Sequence, residues 1–192
     1  MAITWSEGRH EIGGAAVTLR HLLDEDRALV NDLMRRSGVR TYFDWDEIRQ
    51  YTPTVLIVEW CGETRWTAAF SGTTAATPTV VPLLWRAHAW AVIAFGFRVF
   101  GLSTADGSLA WSLGPDSIGW PVTALAVDED GDMLFVAPEI EVIAVEAGIT
   151  VAWEYSHDEP IVGMTWEAGL LDLEQWDGVH VWLDARTGER VR

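Results

Sequence analysis

Lysine is absent from this 192-residue chain, and all 13 of its basic residues are arginine. Arginine alone fits the codon bias of a GC-rich bacterial genome and carries no functional message by itself. There is one cysteine, Cys61, which excludes an internal disulfide and reads as a small strand residue. No run of about 18 apolar residues occurs, so no transmembrane helix is expected. The most apolar stretch, residues 87–102, is broken by Gly96 and Arg98. The opening residues, Met1 to Glu7, lack a basic start followed by an apolar run. No secretory leader is therefore expected, and a cytoplasmic location is.

The motifs of common chemistries are also missing. There is neither a phosphate-binding loop nor a dinucleotide fingerprint. There is no nucleophile elbow. The five histidines are scattered without metal-ligand spacing. His157 lies between Ser156 and Asp158, but strand neighbours face opposite ways, so a blade connection is the better reading than a triad. No catalytic, cofactor-binding or metal-ligating residue is assigned, and no cofactor is expected.

What the chain has is apolar residues, tryptophan and acid. Hydrophobic residues make up 49% and charged residues 22%, which is the composition of a globular core rather than of a disordered chain. Twelve tryptophans are too costly to expose together, so most should pack between elements. The net charge of -16 is uneven: residues 99–185 hold 17 acids and no base. Such a region repels nucleic acid and attracts basic partners.

Residues 1–53 read as an N-terminal α/β segment. Short strands at Thr4–Ser6 and Ala16–Leu19 flank Gly13-Gly14. Asp24 caps a helix whose apolar face is Leu29, Val30, Leu33 and Met34 and which Gly38 ends. A second helix starts at Asp44, with Glu47 at capping-box spacing, and stops before Pro53. Residues 54–192 read as strands. The first two are Thr54–Trp60 and Arg65–Phe70, followed by a loop over 71–78.

A repeat then appears. The turn glycines Gly107, Gly148 and Gly188 are 41 and 40 residues apart, each between two strands. That period is the length of a four-stranded propeller blade. Three blades are visible, at about 80–118, 119–158 and 159–192. The segment Leu183-Asp184-Ala185-Arg186-Thr187-Gly188 resembles the turn signature of quinoprotein-like propeller blades. The resemblance covers about residues 80–192 and implies a tryptophan four residues after the glycine, packing between blades. Trp111 fits, Trp153 comes one residue late, and Arg192 stands at the third place. The motif is structural and implies no quinone cofactor.

The fold class expected is therefore mainly β: a partial or small propeller of three clear blades with an N-terminal α/β segment. Closed propellers usually have four blades or more, and an incomplete ring leaves edges that must be covered or charged. The N-terminal segment could cap the open side, or two chains could join as a homodimer.

For function, the acids are the lead. Asp128-Glu129-Asp130-Gly131-Asp132 could gather oxygens for calcium, but the calcium-loop spacing is incomplete and a hairpin turn is the simpler reading. Glu139 and Glu141, like Asp172 and Glu174, share a strand face, which permits acid–base chemistry and is also ordinary for a solvated face. The reading is a non-enzymatic protein-binding protein, of the immunity type, that inhibits a basic partner such as a toxin. Asp128, Glu129, Asp130, Asp132, Glu139 and Glu141 are its candidate contacts. Neither nucleic acid nor membrane is expected as a partner. The alternatives are a scaffold subunit docking through a propeller edge, and a hydrolase or lyase with a site at the propeller centre.

Overall fold

The computed structural model describes residues 5–12, 15–22, 41–44, 54–71, 80–85, 89–114, 118–128 and 130–191. Among these residues sixteen strands form four sheets. The first sheet holds β1 (Trp5–Ile12), β2 (Ala15–Leu22), β3 (Thr41–Asp44), β4 (Thr54–Trp60) and β5 (Glu63–Ser71), in the order β1-β2-β4-β5-β3. All its pairs are antiparallel except β3 with β5. The second is β6 (Leu83–Trp85), β7 (Trp90–Phe95), β8 (Arg98–Ser103) and β9 (Leu109–Leu113). The third is β10 (Val122–Val127), β11 (Met133–Pro138), β12 (Glu141–Glu146) and β13 (Val151–Ser156). The fourth is β14 (Ile161–Glu167), β15 (Leu170–Gln175) and β16 (His180–Asp184). The last three sheets are sequential antiparallel meanders.

No helix occurs among the described residues, and none there is long and apolar enough to cross a membrane. Of the two helices expected in the N-terminal segment, the one from Asp24 to Gly38 lies outside the described residues, and of the one starting at Asp44 only Asp44 is described, as the last residue of β3. The first sheet joins strands from both sides of residue 53, where the sequence reading placed a division.

The sheets stack face to face as blades of a fan. Their first strands meet in series: β1 with β6, β6 with β10, and β10 with β14. A central strand buried on both faces needs a continuous apolar run, and Ala91-Val92-Ile93-Ala94 supplies one. Alternate residues of that run enter different cores. Ala91 and Ile93 pack with Leu56, Val58, Trp66 and Ala68 of the first sheet. Val92 and Ala94 pack with Leu134, Val136, Ile143 and Val145 of the third. Phe135, Ala137, Val142 and Ala144 then meet Leu171, Leu173, Val181 and Leu183 of the fourth. The far face of the first sheet is covered as well, since Ile57, Thr67 and Ala69 are buried.

Tryptophans lock neighbouring blades. Trp66 on β5 donates its indole N–H to Thr104 O (3.0 Å) in the second blade and lies against Gly107. Trp153 on β13 donates to Ala185 O (3.2 Å) in the fourth blade and lies against Gly188. A Cβ on either glycine would sit 2.8 or 2.5 Å from the indole, and both have positive φ. Asp184 fixes the second of these turns, its Oδ1 accepting from the N–H groups of Arg186 and Thr187 (both 2.9 Å). The Leu-Asp-Ala-Arg-Thr-Gly segment is therefore a docking turn.

The spacing that set the third blade apart has a physical explanation. Each of Trp66, Trp111 and Trp153 follows a left-handed residue by four: Gly62 (φ 83), Gly107 (φ 75) and Ile149 (φ 57). In the third blade the left-handed place belongs to Ile149, not Gly148. Trp153 pairs with Ala144 as Trp111 pairs with Gly101, so the register is kept. Ile149 packs its side chain on the core between the second and third blades, where Trp111 would otherwise dock. Trp111 instead lies across Gly101, edge-on to Trp85 and Trp90, and its buried indole N–H has no hydrogen-bond partner.

These contacts set two expectations. Gly188→Ala should cost about 1–3 kcal/mol more than Gly62→Ala, because Gly62 also has positive φ but has nothing within 4 Å of the added Cβ. Urea titrations of the two variants measure the difference. Gly101→Ala, whose Cβ would lie 2.1 Å from Trp111, should cost about 1–3 kcal/mol. Ile149→Gly in the same background should recover part of it, by relieving a β-branched residue at positive φ and opening the docking place for Trp111.

Candidate functional site

The blades present two ends. Turns at 61–62, 104–108, 128–132, 147–150, 168–169 and 185–188 make a glycine-turn end. The opposite end carries the prolines that precede the inner strands, Pro82, Pro121 and Pro160, and the turns at 139–140 and 176–179. The candidate acids divide between these ends. Asp128, Asp130 and Asp132 lie at the glycine-turn end, whereas Glu139 and Glu141 lie at the proline end beyond the other terminus of β11. Six residues of strand separate them by about 17–20 Å. They do not form one patch. Glu129 lies outside the described residues.

Turn chemistry explains the first group. Asp128 Oδ1 accepts from Met133 N–H (3.1 Å), and Gly131 N–H donates to Asp128 O (3.2 Å) with Gly131 at φ 75. Trp85 crosses from the second blade to donate its indole N–H to Gly131 O (2.5 Å). This is the hairpin-turn reading, pinned from outside by an indole. Asp128, Asp130, Asp132 and Glu146 line a cavity of about 480 Å³ between the third and fourth blades, with Phe135 and Trp166 as walls and Arg186 at its side. Among the described residues no three His, Cys, Asp or Glu side chains are grouped to hold a metal ion.

The proline end has a different character. Backbone bonds run across it in sequence: Glu139 N–H to Pro121 O (3.0 Å), Ile161 N–H to Glu139 O (2.6 Å), and Trp176 N–H to Pro160 O (3.0 Å). This chain of bonds ties down the backbone at Trp176 and beside Trp120. Trp176 is 67% exposed and Trp120 44%, in a protein that buries Trp66 and Trp85 almost completely. The Trp176 indole N–H donates to Glu159 Oε2 (3.2 Å). Glu139, Glu141, Asp158, Glu159 and Asp177 stand on the same turns and strand ends. Exposed Val81, beside Pro82, adds apolar surface.

His157 is part of the scaffold here. Its Nδ1 accepts from Glu159 N–H (3.0 Å), its Nε2 meets the buried Gln175 amide at 2.7 Å, and its backbone N–H donates to Ile140 O (2.8 Å). It joins two blades, as the sequence suggested. The other carboxylate pair, Asp172 and Glu174, lies on the outer face of the fourth sheet. Asp172 Oδ1 is 2.7 Å from His180 Nδ1, a partner that sequence spacing did not reveal. Register reveals it, because β15 and β16 pair Glu174 with His180 one step from Asp172.

No protein-family model matches the chain, and no curated protein matches it. Solved structures do. BamB from Moraxella catarrhalis superposes over 98% of this chain and 63% of its own, at TM-score 0.57 and 14% identity. BBS1N, solved in complex with ARL6DN, covers 98% of this chain and 52% of its own, at TM-score 0.58 and 11% identity. Sqt1 from Saccharomyces cerevisiae covers 73% and 43%, at TM-score 0.57 and 9% identity. The fold is that of a β-propeller. The chain spans between 43% and 63% of the length of these propeller proteins.

The His180 contact generates a titration. The hydrogen bond to Asp172 raises the imidazole pKa above its ordinary value, with the charges of Asp172 and Glu174 adding to it. A raised folded-state pKa means that the stabilisation is fully present below the ordinary histidine range and is lost as pH rises through the raised value. In Asp172→Asn the His180 ring should titrate lower than in the parent, read by proton NMR of its ring resonances.

Proposed function

We propose that this chain is a non-enzymatic protein-binding protein that presents an acidic face to a basic protein partner. The specific reading is an immunity-type inhibitor of a basic partner such as a toxin. The observation that carries the binding role is the exposure of Trp120 and Trp176, on hydrogen-bonded turns at the end that also carries Glu139, Glu141, Asp158, Glu159 and Asp177. Large aromatics ringed by polar groups are what interface hot spots are made of. The acids supply the preference for a basic partner and a fast, salt-sensitive encounter. The likeness to a propeller solved in complex with another protein supports a protein partner. The blade turn at Asp184–Gly188, with Trp153 seated on it, supports the quinoprotein-like type of blade.

The exposed tryptophans favour a second reading, a scaffold subunit docking largely through apolar contact. Salt separates the two. The tagged chain, used to capture partners from its host lysate, should retain a basic protein at low salt and lose it at high salt. Trp176→Ala should weaken that partner by about 2 kcal/mol or more, measured by calorimetry. Glu139→Lys with Glu141→Lys should weaken it further, with most of the change in the association rate. A partner held equally at high salt gives the scaffold reading, and an acidic partner overturns the inhibitor.

A further inference from the structure

Strand register aligns the second, third and fourth sheets residue by residue. Four positions on the two middle strands of each sheet face the following blade. In the second sheet they are Val92, Ala94, Val99 and Gly101, and in the third Phe135, Ala137, Val142 and Ala144. All eight are buried. In the fourth sheet the same positions hold Asp172, Glu174, His180 and Trp182. The other face of that sheet keeps the apolar pattern, with Leu171, Leu173, Val181 and Leu183 buried. The change is confined to the outward face, where Glu167 lies on the same side.

This face is unsuited to a further apolar blade. Burying this face under apolar side chains would bury Glu174 and Asp172 with only His180 as counter-charge, at a cost of several kcal/mol for an unpaired ion. A second copy docked by the same face would bring two surfaces of net negative charge together, since a two-fold contact pairs a surface with itself and the acids Glu167, Asp172 and Glu174 outnumber His180. Charge complementarity leaves a basic occupant.

We propose that the outer face of the fourth sheet docks a basic segment of another protein. Its arginine or lysine side chains meet Asp172 and Glu174, and an apolar side chain lies on half-buried Trp182. The surface is on the flank of the last blade and does not include the turns of Trp120 and Trp176, so it stands or falls apart from the proline-end reading.

The test uses the full chain and an eight-residue fluorescent peptide of alternating arginine and valine, titrated by anisotropy. Asp172→Asn with Glu174→Gln should weaken binding at least tenfold. Asp128→Asn with Asp130→Asn, in the turn that Trp85 pins, should weaken it less than threefold. In the unaltered protein, NMR should show the Trp182 indole and His180 ring resonances moving with the peptide. That second readout does not depend on the variants folding. Equal losses in both variants, no movement at Trp182, or a sedimentation dimer abolished by the Asp172 and Glu174 changes would each overturn the proposal.

Discussion

One indole resting on the left-handed turn of the next blade is the contact on which the arrangement depends. Flat sheets in a stack can slide, because apolar faces are not directional. The seat of Trp153 on Gly188, with its N–H on Ala185 O, removes that freedom, and Trp66 on Gly107 does the same two blades earlier. The turn must be left-handed to offer its backbone to the ring, and side-chain-free to let the ring approach. Where Ile149 occupies the left-handed place, the blades are held differently. Trp111 turns inward to Trp85 and Trp90, and Trp85 reaches across to Gly131 O instead.

That cross-link governs where function can sit. It fixes the Asp128–Asp132 turn as structure, although this turn holds the densest acids of the sequence. The surface with interface character lies at the opposite end, where the backbone bonds through Pro121, Glu139 and Pro160 set two tryptophans into solvent. Acid count and exposed apolar surface therefore point to different ends. Where acids stand beside exposed apolar surface, charge supplies steering and apolar area supplies residence.

Much of the fold was legible because a 40-residue period, β-branched runs and turn glycines are local signals. The first blade was harder. Gly62 and Trp66 keep the same four-residue spacing as Gly107 and Trp111, but Gly62 lies 45 residues before Gly107, and the sheet around it draws strands from distant parts of the chain. The interruption in the third blade was visible as a late tryptophan, yet only backbone φ shows that the left-handed residue is Ile149. Which acids share a surface was not legible at all. Glu139 is close to Asp132 in sequence and at the other end of a strand in space. The polar face of the last blade was hidden for the same reason, because Asp172, Glu174, His180 and Trp182 become one surface only once register is known.

The stack has one covered flank, at Ile57, Thr67 and Ala69, and one wet flank, at Asp172 and Glu174. Sheets that meet only their neighbours behave as a one-dimensional array in which stability accumulates from interface to interface. Among the described residues the fourth sheet has a single neighbour and three strands. Its amides should exchange with solvent through local opening while the central blades stay closed, giving the molecule a gradient of rigidity from one flank to the other. Anything bound to the wet flank would therefore be felt first as slowed exchange in β15 and β16.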